Sequence, residues 1–247
     1  ALASSGYRAG GWNRGGFAAT SPASKYETDT LWNYEVGVRS SWLDNRLIAN
    51  AILYYIDWSD KQLRTYDTAS LSQKIQNAGK AETLGFETEI DFQATENLRL
   101  SLNYAYTDAA LAEDFISLET TPPTVLAAKG DALPASSKNT VALFADWQMP
   151  LTPSLDLQAN ASYVYTSSRP PALVIDTLTV GFSDVPSAEV VNLSAGVLHD
   201  NGVTVSLFVK NLFDERNIQF EATLGTALTT ANMNPPRTIG LRAGYKF

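Results

Sequence analysis

Glu87, Glu89 and Asp91 place three carboxylates at alternate positions of one short stretch. Paired carboxylates can act as a general acid and a general base, but such a reaction also needs a base or a nucleophile at the same site. The stretch supplies no such partner. Alternate residues of a strand lie on one face, so we interpret the three carboxylates as a solvated strand wall and predict no catalytic residue.

Few other residues could bind a metal or carry out thiol chemistry. The 247 residues include no cysteine and one histidine, His199, which stands in a turn sequence. The lack of cysteine excludes disulfide scaffolds, thiolate metal sites and thiol catalysis, and a lone histidine is a poor metal site. Glu113 and Asp114 leave a calcium site open, although we predict no metal and no cofactor. The net charge of −8 argues against nucleic acid as a partner.

The elements that would position these residues are β-strands. Apolar and polar residues alternate at period two in about ten segments, without a helical period of useful length. The longest apolar runs, such as 51–56, are far shorter than the roughly 20 residues that a membrane-spanning helix needs. We expect one segment from 47 to about 66 and another from 73 to 92. In the segment 47–66, large apolar residues occupy both even and odd positions, and a β-bulge would explain this mixed parity.

Short and long connections alternate along the chain. The sequence predicts short turns at 43–46, 94–97, 149–154 and 199–202, and long connections at 10–30, 66–74, 108–135, 167–187 and 214–236. This alternation is typical of outer-membrane β-barrels, whose short turns are periplasmic. A secreted sandwich or solenoid is the alternative, but such folds do not usually keep this alternation throughout. We therefore predict an all-β, transmembrane antiparallel barrel.

Aromatic residues at both ends of the segments support this fold class, because barrels carry aromatic girdles at both membrane interfaces. Trp42, Trp147 and Phe247 stand at short-turn ends. Four tyrosines stand at long-connection ends: Tyr104, Tyr106, Tyr163 and Tyr165. The alternative is that these rings pack in the core of a soluble sheet.

Six motifs, in order along nearly the whole chain, resemble those of the TonB-dependent outer-membrane receptors, particularly the siderophore receptors. They are Gly-Tyr-Arg-Ala-Gly at 6–10, Asn-Tyr-Glu-Val-Gly at 33–37, Asn-Ala-Gly at 77–79 followed by Gly-Phe-Glu-Thr-Glu at 85–89, Tyr-Ala-Tyr-Thr-Asp at 104–108, Val-Lys-Asn-Leu-Phe-Asp at 209–214 and the closing strand 236–247.

The resemblance implies a 22-stranded barrel around an amino-terminal plug, of which residues 1–247 would be the carboxyl-terminal barrel segment with about ten strands. The plug and the amino-terminal strands would be absent from it. It also implies a non-enzymatic receptor in the outer membrane of a Gram-negative bacterium. Such a receptor imports a scarce ligand, here a ferric siderophore, and is energised through TonB by way of the plug. The alternatives are a passive porin or structural barrel, and an integral-membrane hydrolase.

The resemblance also implies partners and site residues. Glu87, Glu89 and Asp91 would face the lumen and the plug, and the barrel would contact outer-membrane lipid. The barrel assembly machinery would read Leu241, Tyr245 and Phe247. Arginine and aromatic surfaces in the long loops would suit an anionic ferric chelate, although each could equally serve loop packing. The expected ligand contacts are Trp12, Arg14, Tyr66, Phe115, Arg169, Phe182 and Phe220.

Overall fold

The computed structural model describes residues 1–13, 24–67, 72–117, 123–170, 184–224 and 228–246. Within these ranges every regular element is a β-strand. No helix in the described part of the chain is long and apolar enough to cross a membrane. The strands, in chain order, are β1 Leu2–Arg8, β2 Gly11–Trp12, β3 Lys25–Tyr26, β4 Asp29–Trp42, β5 Leu47–Ser59, β6 Gln62–Asp67, β7 Ser72–Asn77, β8 Ala81–Thr95, β9 Leu98–Leu111, β10 Phe115–Ser117, β11 Thr124–Ala127, β12 Asn139–Thr152, β13 Leu155–Thr166, β14 Ala188–His199, β15 Val203–Lys210, β16 Ile218–Leu224, β17 Leu228–Met233 and β18 Thr238–Tyr245.

Ten of these strands form one antiparallel sheet, in the order β1, β4, β5, β8, β9, β12, β13, β14, β15 and β18. Every neighbour in the sheet is also the next sheet strand along the chain, so the topology is a simple meander. The prediction of about ten strands in an all-β antiparallel fold is confirmed. The turns between paired strands lie at 43–46, 96–97, 153–154 and 200–202.

The other eight strands form four separate hairpins, which lie within the long connections. These connections run over 9–28, 60–80, 112–138, 167–187 and 211–237, and the hairpins are β2–β3, β6–β7, β10–β11 and β16–β17. Two predicted segments were therefore wrong in extent. Residues 47–66 divide into β5 and β6 at Asp60, which has a left-handed backbone with φ of 52°, and 73–92 divides into β7 and β8.

The register gives the sheet two chemically distinct faces, because directly paired residues project to the same side. The apolar face carries alternate residues of each strand and is largely exposed, with Val38 59% and Leu241 67% accessible. It runs across the sheet through Val36, Leu53, Phe86, Leu102, Leu143, Leu193, Leu207 and Leu241. The opposite, polar face carries Glu35, Asn50, Glu89, Asn103, Asp146, Asn160, Ser194 and Arg242.

Six of the seven aromatic residues predicted to form girdles lie on the apolar face, and the seventh, Phe247, lies outside the described residues. Trp42 pairs with Leu47 at a short turn and is 61% exposed. Tyr104 and Tyr163 pair with Val141 and Leu143 near the long connections. Rings that project outward at both ends of the strands favour the girdle interpretation over packing in a soluble core.

The mixed parity of β5 does not come from a bulge. Its register with β4 and β8 is continuous from Leu47 to Trp58. Ile48, Ile52 and Ile56 therefore lie on the polar face, and the strand is apolar on both sides. Within the ten-stranded sheet, the shifts in register occur instead between Gln93 and Thr95 and between Pro150 and Thr152, next to short turns.

A small hydrophobic core lies at the long-connection end of the polar face. There the connections 60–80 and 112–138 fold onto the ends of β5, β8 and β9, and Trp58 packs against the cluster. Leu111 and Ala81 are each 1% exposed. The buried members are Leu63, Ala78, Ala81, Ala109, Leu111, Phe115, Ala127 and Leu133.

Candidate functional site

Several polar contacts join the bases of the long connections to one another and to the sheet. At the first of these bases, Asp29 begins β4 with its side chain 1% exposed, in an ion pair with Arg8 of β1. The Arg8 Nε donates to Asp29 Oδ2 at 2.9 Å, and the backbone N–H of Gln62 donates to the same oxygen at 2.9 Å. A buried carboxylate is tolerated when it is paired and its remaining lone pairs accept hydrogen bonds.

The side chain of Gln62 joins this ion pair to the first long connection. Its Nε2 donates to the carbonyl oxygens of Ala9 and Glu27, both at 3.0 Å. Arg8 in turn donates through its terminal nitrogen to the carbonyl oxygen of Gln62 at 3.0 Å. The connections 9–28 and 60–80 are therefore fastened to each other where they leave the sheet.

Asn77 and Gly79, from the Asn-Ala-Gly motif, close the base of the second connection. The Asn77 Nδ2 donates to the carbonyl oxygens of Glu27 and Asp60 at 3.0 and 2.7 Å, and its Oδ1 accepts from the Glu27 N–H at 2.8 Å. Gly79 has φ of 76°, and a Cβ there would overlap the Glu113 carboxylate. Only glycine satisfies both restrictions without strain.

Lys61 is a buried cation in this region, 8% exposed. Its Nζ lies 3.2 Å from the centroid of the Trp58 ring, and the Arg8 guanidinium lies 4.9 Å from the same centroid. Burial, reinforced by the charge of Arg8, lowers the pKa of Lys61 to about 8. The nearby Asp29 carboxylate opposes this shift without cancelling it.

Asn211, from the motif at 209–214, closes the base of the last long connection. It is 4% exposed and has a left-handed backbone with φ of 51°. Its Nδ2 donates to the carbonyl oxygens of Glu215 and Pro235 at 2.9 and 3.0 Å, and its Oδ1 accepts from the Glu215 N–H at 3.0 Å. Asparagine is among the few non-glycine residues that adopt this backbone readily.

Asp214 makes further contacts at the base of the same connection. Its Oδ1 accepts from the Arg237 N–H at 2.7 Å, and an ion pair with Arg216 lies alongside. The Arg237 N–H, together with the charge of Arg216, lowers the pKa of the Asp214 carboxyl. Both ends of the connection 211–237 are thus fixed close to the sheet.

Hydrogen bonds also join the remaining neighbouring bases. Lys80 N–H donates to Glu113 Oε1 at 3.0 Å, Ser167 N–H donates to the Asn139 carbonyl at 2.8 Å, and Asn217 Nδ2 donates to the Glu189 carbonyl at 3.1 Å. We call these contacts, with Arg8, Asp29, Gln62, Asn77 and Asn211, the neck network. It binds the connections 9–28, 60–80 and 112–138 to one another, and it binds 167–187 to β12 and 211–237 to β14.

The loop acids Glu113 and Asp114 accept backbone hydrogen bonds. Glu113 accepts from Lys80, and Asp114 Oδ1 accepts from the Lys129 N–H at 2.8 Å. Within the described ranges no group of three potential ligands converges as a metal site would require. His199 ends β14, and its Nδ1 accepts from the Asn201 N–H at 3.2 Å in an exposed turn.

The three alternating carboxylates lie together on the polar face of β8. Asp91 accepts from the Ser101 hydroxyl and forms an ion pair with Arg99 at 3.0 Å. Glu89 accepts from Asn50 Nδ2 at 3.2 Å, and Glu87 is exposed. Next to them, at the short-turn end, a polar concavity of about 240 Å³ is lined by Gln93, Arg99, Asp146, Gln148 and Asn160, among others.

The expected ligand contacts have different surroundings. Trp12 is 68% exposed in β2, and Arg169 is half-buried with its backbone bonded to Val185. Phe115 is 2% exposed in the hydrophobic core, so its burial corresponds to the loop-packing alternative. Tyr66 and Phe220 lie on β6 and β16, where only the backbone is described, and Arg14 and Phe182 lie outside the described residues.

Leu241 and Tyr245, expected to form the assembly signal, lie on the apolar face of β18. They pair with Leu207 and Val203 and are 67% and 61% exposed. Phe247 lies outside the described residues.

Sequence reasoning missed the neck network. Three of its members, Arg8, Asn77 and Asn211, lie inside the motifs at 6–10, 77–79 and 209–214, but the motifs served only to indicate a resemblance. The available signal was an asparagine next to a turn, since asparagine side chains readily bond to nearby backbone.

Comparison with known proteins identifies the fold. The family model described as TonB dependent receptor-like, β-barrel, matches residues 1–212. The metal-pseudopaline receptor CntO of Pseudomonas aeruginosa is 28% identical over 183 residues, which cover 74% of this chain and 23% of that receptor. Among solved structures, the ferric yersiniabactin uptake receptor FyuA from Yersinia pestis gives a TM-score of 0.73 at 18% identity, over 98% of this chain and 33% of that one.

The siderophore receptor PiuA from Acinetobacter baumannii gives a TM-score of 0.69 at 20% identity, covering 90% of this chain and 29% of that one. The chain thus spans between 23% and 33% of the length of these relatives. The relatives named here are siderophore and metal receptors, the family consists of outer-membrane β-barrels, and the ten-stranded meander agrees with a segment of such a barrel. The chain belongs to the TonB-dependent receptor-like β-barrel family.

Proposed function

We propose that this chain forms ten adjacent strands in the wall of a receptor that imports a ferric siderophore across the outer membrane of a Gram-negative bacterium. Energy would be supplied through TonB. The observation that carries the proposal is the neck network, which holds five long connections at one end of the sheet. A rigid scaffold with fixed loop bases suits a protein that captures ligands with its loops.

The two faces support a position in the membrane. The apolar face would contact lipid, since a barrel exposes apolar side chains outward and polar ones inward. The polar face would line the lumen. The short turns would then be periplasmic and the long connections extracellular.

The partners follow from this position. Carboxylates of β8, with Glu87 and Glu89 exposed, would face a plug carried by the remainder of the receptor, and TonB would act through that plug. Leu241 and Tyr245, with Phe247, would present the closing strand to the barrel assembly machinery. The proposal includes no catalytic step and no nucleic acid.

The ligand contacts proposed for the loops divide by their surroundings. Trp12 is exposed and Arg169 half-exposed, so these two are the described candidates for direct contact. Arg14, Tyr66, Phe182 and Phe220 stay predictions. Phe115 would act only by holding the loop core together, because its ring is buried.

Uptake of radioactive iron tests the proposal. Cells that produce the complete receptor would be given a panel of iron-loaded siderophores, including yersiniabactin, in strains with and without TonB. The proposal predicts saturable uptake of at least one chelate that is lost without TonB and in cells lacking the receptor. Uptake that persists without TonB, or a stable open conductance of the purified protein in bilayers, would instead indicate a passive porin.

A further inference from the structure

Phe208 of β15 lies beside two cations on the polar face. The Lys210 Nζ lies 5.8 Å from the centroid of its ring, and the Arg242 guanidinium lies 5.6 Å from it. Gly240 of β18 pairs with Phe208, and a Cβ at Gly240 would lie 2.5 Å from the Phe208 Cζ. The missing side chain thus lets the ring lie against the neighbouring strand, where both cations can reach it.

The two cations are not neutralised by a described carboxylate. Arg8, Arg99, Lys138 and Arg216 each form an ion pair in the described ranges, whereas neither Lys210 nor Arg242 does. The polar face of the three strands around them is otherwise uncharged, with Asn192, Ser194, Gly196, Leu198, Thr204, Ser206, Thr238, Gly240 and Gly244. Two cations that lie against one ring, without a carboxylate in the described ranges to neutralise them, attract anions even though the chain has a net charge of −8.

The position of the pair matches the side from which a ligand would enter. Lys210 ends β15 and pairs with Thr238, the first residue of β18, so it lies at the base of the connection 211–237. Arg242 lies four residues further along β18, beyond Phe208 in the direction of the short turns. An anion that passes this connection would meet Lys210 first and Arg242 next.

We propose that Lys210, Phe208 and Arg242 form an anion subsite on the lumen wall, which takes a ligand carrying two or more carboxylates, such as a polycarboxylate metal chelate. The inference rests on the proposed import function and narrows its substrate class. The guanidinium binds one carboxylate through two parallel hydrogen bonds. The ammonium binds another, and the ring holds both cations in place.

Calorimetric titration of the purified complete receptor tests the subsite, with tricarballylate as the probe and its neutral trimethyl ester as the comparison. We expect the receptor to bind the acid and not the ester. A charge-assisted hydrogen bond contributes about 1.5–3 kcal/mol, so Lys210→Gln and Arg242→Gln should each weaken binding roughly ten- to hundredfold. The double variant should bind no measurable tricarballylate, and Phe208→Leu should weaken binding a few-fold.

Lys246→Gln is the matched control. It removes one positive charge from the same end of the chain, four residues and roughly 13 Å along the backbone from Arg242. It should change the affinity less than twofold. If Lys246→Gln and Arg242→Gln weakened tricarballylate binding equally, general charge attraction would explain both decreases in affinity, and the subsite would be refuted.

Two further outcomes separate this inference from the import proposal. A receptor that imports an iron chelate only with TonB, yet binds tricarballylate equally in the wild type and the double variant, would overturn the subsite and leave the import function standing. TonB-independent uptake together with variant-sensitive tricarballylate binding would overturn the import function and support the anion site. The heat-modifiable gel mobility of each variant shows that it is folded.

Discussion

Replacing Asn211 by alanine should open the last long connection. The side chain makes three hydrogen bonds, two to carbonyl oxygens and one from the Glu215 N–H. At about 1 kcal/mol each, their loss costs about 3 kcal/mol. Alanine in the left-handed backbone, here with φ of 51°, adds roughly 1 kcal/mol. The opening equilibrium of this connection should therefore increase by about three orders of magnitude.

Hydrogen exchange at the Glu215 amide is the direct assay, because this group donates to Asn211 Oδ1. Asn211→Gly should recover the backbone part of the loss and protect the amide slightly better than Asn211→Ala. Asn217→Ala is the matched control in the same connection, since its side chain makes one bond, to the Glu189 carbonyl. It should change exchange of the Glu215 amide less than tenfold. Protection in Asn211→Ala within tenfold of the wild type would refute the role of Asn211 in the neck network.

Three other substitutions test separate contacts. Gly79→Ala should lower the melting temperature, because its Cβ would overlap Glu113 and its φ is 76°; adding Glu113→Ala should recover the steric part only. For Lys61, whose pKa is lowered by burial to about 8, the unfolded chain binds more protons between pH 8 and about 10.4. The wild-type melting temperature should therefore rise relative to that of Lys61→Met as the pH increases across this window. A constant difference between the two melting temperatures would show that the lysine is solvated and contradict its burial. Gly85→Ala should displace the Tyr54 ring that covers Gly85 and so lower the melting temperature. The same substitution in a Tyr54→Ala background should lower the melting temperature less. Equal decreases in the two backgrounds would contradict the contact.

The strands could be predicted from the sequence because alternation at period two is a local property. β5 shows the limit of that reasoning. Ile52 lies on the polar face, where a Cβ at the paired Gly37 would stand 3.1 Å from its Cγ1. An apolar residue can therefore pack on a bare glycine of the next strand instead of facing lipid. Such a contact depends on register, which the β5 sequence alone does not reveal.

The division of the predicted segment 47–66 into β5 and β6 near Asp60 could also not be predicted from the local sequence. A left-handed aspartate ends β5, and β6 begins two residues later. Glycine and proline are the residues that most clearly predict a break in a strand, and neither occurs next to Asp60 in the sequence. Its carbonyl accepts from Asn77, so the break is stabilised by a residue that lies 17 positions away.

The neck network could not be predicted for the same reason. Arg8 and Asp29 are 21 residues apart, and Arg8 and Gln62 are 54 apart. The chemistry of Arg8 alone suggests a surface cation or a ligand contact. Only the meander, which places β1, β4 and β5 side by side, makes it the partner of a buried carboxylate. Likewise, local sequence left ligand contact and loop packing equally open for Phe115, whose ring is buried where two connections fold together.

Spin labelling along β8 in the native outer membrane tests the central claim, that the apolar face contacts lipid and the polar face lines the lumen. The chain has no cysteine, so single sites can be introduced as Leu84→Cys, Phe86→Cys, Glu87→Cys, Glu89→Cys and Ile90→Cys. Labels at 84, 86 and 90 should collide mainly with dissolved oxygen, which concentrates in lipid. Labels at 87 and 89 should collide mainly with a water-soluble nickel complex. Equal access of the nickel complex to both sets would contradict the account.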